Sequence, residues 1–138
     1  MPSRTSIALW KGDIQDGIGS VAVESGSFEG FYGFGSRFQQ APGTNPEELL
    51  AAAQAGSFSM FLANVLAAVG RPAESVETVA TVTLDEEPEI KKIVLTTRAV
   101  VPGLPIEEFA AYIETAKAAC PMFKALSAVP ITVKAELV

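Results

Sequence analysis

The chain has no histidine and only one cysteine, Cys120, in its 138 residues. Without histidine the usual general base, the Ser-His-Asp arrangement and most zinc sites are excluded. With one cysteine, no disulfide can form within the chain. Positive charge is scarce as well: 10 Lys and Arg stand against 16 Asp and Glu, a net charge of −6. That balance argues against nucleic acid or an anionic membrane surface as the main partner. Met1 to Lys11 has no basic segment leading into an apolar core of the secretory type and runs straight into a strand pattern. A cytoplasmic location is therefore the expectation.

Long uncharged runs are also rare, and the single one present organises the rest. Between Glu48 and Gly70 no residue is charged, and Ala dominates, with Leu49, Leu50, Phe58, Met60, Phe61, Leu62, Val65, Leu66 and Val69 on every side. Asn45 is a good N-cap, Pro46 suits the first helical position, Glu47 and Glu48 complement the helix dipole, and Gly70 supplies the stop. A helix apolar all round is a buried helix. A membrane span is the rival reading, since about 20 uncharged residues cross a bilayer. Against it, Gln54, Ser57, Ser59 and Asn64 interrupt the run, and no basic cluster or aromatic belt flanks it. The expectation is a central helix enclosed by protein and no membrane. A chain of this length can build one core but is small for wrapping so long a helix, so a partner chain could supply the missing cover.

The remaining elements follow from periodicity. Thr5 to Trp10 and Ile18 to Glu24 alternate around a turn at Lys11 to Gly17, and a third strand is expected through Phe31, Tyr32 and Phe34 towards Arg37 and Phe38. After the central helix, Val76, Thr78, Ala80, Val82 and Leu84 face one way, and Ile90 to Val101 returns beyond an acidic turn. Ile106 to Ala119 is an amphipathic helix opened by Pro105, with Phe109, Tyr112, Ile113 and Ala116 as its apolar stripe. Cys120-Pro121 breaks it and starts a short helix through Leu126, before a last alternating strand from Ile131 to Leu137. The predicted order is βββαββαβ, an α+β layout in one domain over residues 1–138.

Each short motif has a bland reading beside a functional one. Gly17-Ile18-Gly19-Ser20-Val21-Ala22 matches the dinucleotide fingerprint, but a strand follows where a helix is required, so the glycines are expected in a hairpin. The aromatic run Gly30 to Phe34 resembles an RNA-stacking strand, yet the chain is acidic, which favours packing in a core or at an interface. Ser57 lies in no nucleophile elbow and has no base, so a hydrogen bond back to a carbonyl one turn earlier is expected of it. Cys120, at the start of a short helix, is either a buried inert thiol or one biased towards thiolate. Arg37 and Glu47 read first as a surface ion pair of little worth.

Taken together, Trp10-Lys11-Gly12-Asp13, Ser36-Arg37-Phe38, Thr44-Asn45-Pro46-Glu47-Glu48-Leu49, Ala51 to Met60, Val101-Pro102-Gly103 and Ala116 to Pro121 resemble the OsmC/Ohr family, osmotically inducible protein C and the organic hydroperoxide resistance proteins, and within it the OsmC branch. These stretches run in family order over nearly the whole chain. The resemblance implies an OsmC-like fold and an intertwined homodimer, in which two central helices are wrapped by strands from both chains. It also implies a cofactor-free, metal-free thiol peroxidase acting on organic hydroperoxides and recharged by a dithiol. In that chemistry a helix cysteine attacks as thiolate, a second cysteine resolves the sulfenic acid, and an Arg held by a Glu stabilises the thiolate.

Position by position, Arg37 matches the Arg, Glu47 its partner and Cys120 the resolving cysteine, while the attacking position is Ser57. The family pattern Ala-His-Ala-x-Cys-Phe-Ser-Met reads here Ala53-Gln54-Ala55-Gly56-Ser57-Phe58-Ser59-Met60. A serine hydroxyl has no sulfenic acid chemistry, and no base is present to activate it. The resemblance therefore implies a peroxidase scaffold lacking its peroxidase step. Either a deliberate Cys→Ser change or a natural loss accounts for Ser57, and the additional change at Gln54 favours the natural one. Two other functions stay open: binding of a hydrophobic small molecule, or a stress-related structural role, at an apolar dimer pocket, and thiol chemistry through Cys120 alone.

Overall fold

The computed structural model describes Met1–Val138. The element order is β1 (Ser6–Lys11), β2 (Ile18–Val23), β3 (Glu29–Tyr32), α1 (Phe34–Phe38), α2 (Pro46–Ala68), β4 (Ser75–Leu84), β5 (Ile90–Val100), α3 (Ile106–Ala119), α4 (Pro121–Ala125) and β6 (Ile131–Leu137). The chain divides into two compact units, Met1–Leu49 and Leu50–Val138. The first carries the sheet β1-β2-β3 and the second the sheet β4-β5-β6.

In the first unit β1, β2 and β3 pair antiparallel, with Leu9 and Phe31 both opposite Ser20. The period of two then puts Ile7, Leu9, Ile18 and Phe31 on one face, and all four are exposed. The other face holds Trp10 and Tyr32, whose rings lie 5.5 Å apart over Gly19. A Cβ on Gly19 would stand 2.6 Å from the Tyr32 ring and 2.7 Å from the Trp10 ring, so this glycine is required by packing. Strand β2 continues beyond Gly19, as expected of hairpin residues rather than a dinucleotide loop.

The expected third strand is too long. It stops at Tyr32, and Arg37 and Phe38 lie on the short helix α1. Ser36 causes the turn: its Oγ accepts the Gly33 N–H at 2.9 Å and donates to the Gly33 carbonyl at 3.2 Å. Such local bonds compete with a sheet ladder and favour helix starts.

Helix α2 begins and ends as its sequence predicts. Asn45 Oδ1 accepts the Glu48 N–H at 2.7 Å. At the other end Gly70 has φ +75°, with Arg71 N–H donating to Leu66 O at 2.9 Å and Gly70 N–H to Ala67 O at 3.0 Å, a left-handed glycine stop. The expectation that protein encloses the whole helix is not met within one chain. Gln54, Phe58, Leu62 and Leu66, spaced by four, are fully buried, whereas Ala53, Gly56, Asn64 and Ala67 are exposed and Met60 is 72% exposed. One sheet with one crossing helix covers one stripe of a helix, not its circumference.

In the second unit β4 and β5 pair antiparallel from Ser75↔Val100, with an irregularity at Thr83/Leu84. The α3–α4 connection crosses over the sheet, so β6 returns parallel to β5, with Leu95 opposite Val133. Ile93, Leu95 and Ala99 of β5 pack with Phe58, Leu62 and Leu66 of α2 and Phe109, Ile113 and Ala116 of α3. Burial of each large side chain in this cluster contributes about 1.5–3 kcal/mol. The first unit contains no buried large apolar side chain of its own.

Candidate active site

The four residues singled out in the sequence fall into two pairs. Arg37 and Glu47 lie in the first unit, Arg37 in the last turn of α1 and Glu47 in the first turn of α2. The link between these helices is held by the backbone: Asn45 Nδ2 donates to Ser36 O at 3.0 Å and Thr44 N–H to Phe31 O at 2.9 Å. Gly43, at φ +125°, lets the chain pass; a Cβ there would stand 2.9 Å from the Phe31 carbonyl oxygen. Arg37 then donates to Glu47 Oε1 from Nε at 3.2 Å and from Nη2 at 2.9 Å.

This is not the surface pair expected from sequence. The Glu47 side chain is only 10% exposed against 35% for Arg37, and Glu47 Oε2 is closed off without a hydrogen-bond partner in the protein. The carboxylate holds the guanidinium from the protein side and leaves its outer edge open. The Arg37 guanidinium also lies 5.5 Å from the centroid of the Phe38 ring, within reach of a cation–π attraction. With Trp10, Tyr32, Phe34 and Phe38 it lines a recess of about 320 Å³. Sequence reading named the guanidinium but not the aromatic walls, because Trp10 and Tyr32 are brought together by strand register rather than by proximity in the chain.

Ser57 and Cys120 belong to the second unit and do meet. Ser57 Oγ lies 3.2 Å from Cys120 Sγ. The expected hydrogen bond from Ser57 back to a helix carbonyl is absent; the thiol takes its place. Cys120 is fully buried where α3 ends and α4 begins. Its N–H donates to Ala116 O at 3.0 Å and its carbonyl accepts from Lys124 N–H at 3.3 Å, so Pro121 ends one helix and starts the next without leaving these groups unbonded. Phe58, next to Ser57, packs on Phe123 of α4 with ring centroids 5.6 Å apart, fixing α4 against α2.

A third polar feature was not foreseen. Ser59 Oγ donates to Thr78 Oγ1 at 2.8 Å, and Thr78 Oγ1 lies 2.9 Å from Thr97 Oγ1, which is fully buried. The available signal was a threonine at an inward position of each of two neighbouring strands. No cluster of three His, Cys, Asp or Glu side chains able to hold a metal ion occurs.

Comparison with known proteins identifies the family and the fold. A family profile described as OsmC-like protein matches residues 38–135. The peroxiredoxin OsmC of Escherichia coli is 43% identical over 125 residues, which cover 88% of this chain and 87% of that protein. A crystal structure of an OsmC-like protein from Mycoplasma pneumoniae superposes with a TM-score of 0.78 at 16% identity, covering 99% of this chain and 98% of the other. An organic hydroperoxide resistance protein OsmC from Legionella pneumophila superposes with a TM-score of 0.66 at 26% identity, covering 96% of each chain. The fold is α+β and OsmC-like, and by sequence and structure alike the chain belongs to the OsmC family.

Proposed function

We propose that this chain is an OsmC-type thiol peroxidase scaffold in which Ser57 occupies the attacking position, so that it does not reduce organic hydroperoxides by a cysteine route. The observation that carries this reading is the 3.2 Å contact of Ser57 Oγ with Cys120 Sγ. It is the juxtaposition that an attacking and a resolving thiol require, because a sulfur–sulfur bond of about 2 Å could form there after a small approach. Arg37, oriented by Glu47 in an apolar recess, fits the role of holding a thiolate and the peroxide beside it.

The test is S57C. In that variant the introduced thiolate attacks the hydroperoxide, breaking the O–O bond, releasing the alcohol and leaving a sulfenic acid. The Cys120 thiol then displaces water to form a disulfide, and an added dithiol reduces it. Turnover of an alkyl hydroperoxide by S57C, and none by the unaltered chain, is the expected result. An inactive S57C that still forms the disulfide with Cys120 would place the loss elsewhere than at position 57.

The same reading makes the protein a homodimer working in the cytoplasm. Glu47 and Ser57 are ten residues apart on α2, about 15 Å along its axis at ~1.5 Å per residue, too far to share a site within one helix. Arg37 and Glu47 of one protomer would therefore serve Ser57 and Cys120 of its partner. The exposed stripe of α2 and the exposed apolar face of the first sheet supply surface for such a dimer.

The aromatic recess beside Arg37 favours a second reading, binding of a hydrophobic small molecule without chemistry. Mass spectrometry of the purified protein would detect a retained lipid-like ligand. Its loss in Phe34→Ala would assign it to this recess, and retention there would not.

A further inference from the structure

The guanidinium of Arg37 is only partly used within the chain. Its Nε and Nη2 both donate to Glu47 Oε1, at 3.2 and 2.9 Å, which engages one edge of the planar group. The neighbouring edge, a hydrogen on Nη1 beside the second hydrogen on Nη2, has no partner in the protein, and the side chain is 35% exposed. Two parallel N–H groups of this kind match the two oxygens of a carboxylate.

Arg37 is also the only charged residue lining its recess, whose other side-chain walls are Trp10, Ile14, Tyr32, Phe34 and Phe38. The rings form two tilted pairs, Trp10 with Tyr32 at 5.5 Å and Phe34 with Phe38 at 5.0 Å between centroids. Trp10 Nε1 is spent on Gly12 O at 2.9 Å, so the indole offers the recess its ring and no donor. Flat apolar walls of this kind favour an aromatic guest. At about 320 Å³ the recess lies near the lower end of small-molecule sites, roughly 300–1,000 Å³, which suits one ring on a short arm better than a long acyl chain. Charge sets the other limit. Glu47 already offsets part of the guanidinium's charge, so the site compensates one delocalised negative charge and not a phosphate dianion.

We propose that the Arg37 recess binds a small aryl carboxylate, its two oxygens on the free Nη1–Nη2 edge and its ring against the aromatic walls. This rests on the reading of the recess as a binding site without chemistry, and it replaces a neutral lipid by a one-ring anion as the occupant. Every contributing residue lies in the first unit.

Trp10 is the only tryptophan of the chain, so its fluorescence reports on the recess. The unaltered protein is titrated with phenylacetate and, separately, with phenylacetamide, a neutral counterpart of nearly the same shape. Salt at about 0.15 M screens the chain's net charge of −6 beyond about 8 Å. The expected result is a saturable change with phenylacetate, at an affinity at least about tenfold above that of the amide. R37K keeps the charge and loses the fork, and is expected to weaken phenylacetate binding by roughly fivefold or more. Equal affinity for acid and amide, both lost in Phe34→Ala, overturns the carboxylate site while leaving the recess a site for neutral ligands. Phenylacetate binding that is unchanged in R37K, or no saturation by either compound, also overturns the proposal.

Discussion

At the scale of single residues the ion pair of the first unit is the most exacting feature. Glu47 Oε1 receives two N–H groups from one guanidinium while Oε2 is closed off without a partner, so the carboxylate depends on Arg37 for its compensation. Removing the cation by R37A is expected to destabilise the protein by about 1–3 kcal/mol, measured by urea unfolding, because it leaves a nearly buried carboxylate unpaired. R37K is expected to recover only part of that loss, since an ammonium cannot present Nε and Nη2 together to one oxygen. Equal stability of R37A and the unaltered protein would mean that the pair contributes nothing. Arg37, Glu47, Ser57 and Cys120 were all legible as candidates from their motifs. The burial of Glu47 and the thiol contact of Ser57 were not, because both depend on segments distant in the chain.

At the scale of elements, α2 decides most. Its N-cap, its glycine stop and its length follow from local chemistry and match the sequence reading closely. Its surroundings do not, and Gly56 shows why. A glycine inside a helix costs about 0.5–1 kcal/mol relative to alanine, and a Cβ at Gly56 would meet nothing within 4 Å in this chain. In an isolated chain G56A is therefore expected to raise stability. In the proposed dimer, with a second helix crossing at the exposed stripe, G56L is expected to weaken association, read as a shift from dimer to monomer by sedimentation. A G56L protein that remains fully dimeric would remove α2 from the interface.

The hydroxyl chain Ser59–Thr78–Thr97 joins α2 to β4 and β5 and sets the helix against the sheet that supports it. T97V keeps the shape and removes one link, with an expected loss of about 1 kcal/mol in urea unfolding. The shorter β3 belongs to this scale too. The aromatic pattern Phe31-Tyr32-Gly33-Phe34 reads as strand throughout, and only the two Ser36 hydrogen bonds to Gly33 show where it turns.

At the scale of the whole molecule, the buried apolar core lies entirely in the second unit, whereas the first leaves Ile7, Leu9, Ile18 and Phe31 exposed on a single sheet face. A three-stranded sheet with one bare apolar face needs cover. If a second copy provides it, Tm rises with protein concentration, as mass action requires when association favours the folded chain; a concentration-independent Tm would oppose the dimer. Subunit mixing tests whether the proposed site is shared between protomers. R37A/S57C has the introduced cysteine without the arginine, and the unaltered chain has the arginine without the cysteine, so each alone is expected to be inactive. Mixed dimers would bring Arg37 of one protomer to the introduced cysteine of the other and recover turnover. No recovery, with S57C itself active, would assign each site to one chain.

The sequence by itself determined most of the elements and where they stop, α1 and the end of β3 excepted, because these depend on residues within a few positions of one another: Asn45 and Gly70 bound α2, Pro105 and Pro121 bound α3, and alternation marks the strands. It also carried the family, through motifs spread along the chain, and excluded histidine-based chemistry by composition alone. Only the tertiary structure decided that Ser57 touches Cys120, 63 positions further along the chain, that Glu47 is buried, and that α2 is half covered. Those outcomes depend on which distant surfaces pack together, and a buried area belongs to a pair of surfaces rather than to either stretch of sequence.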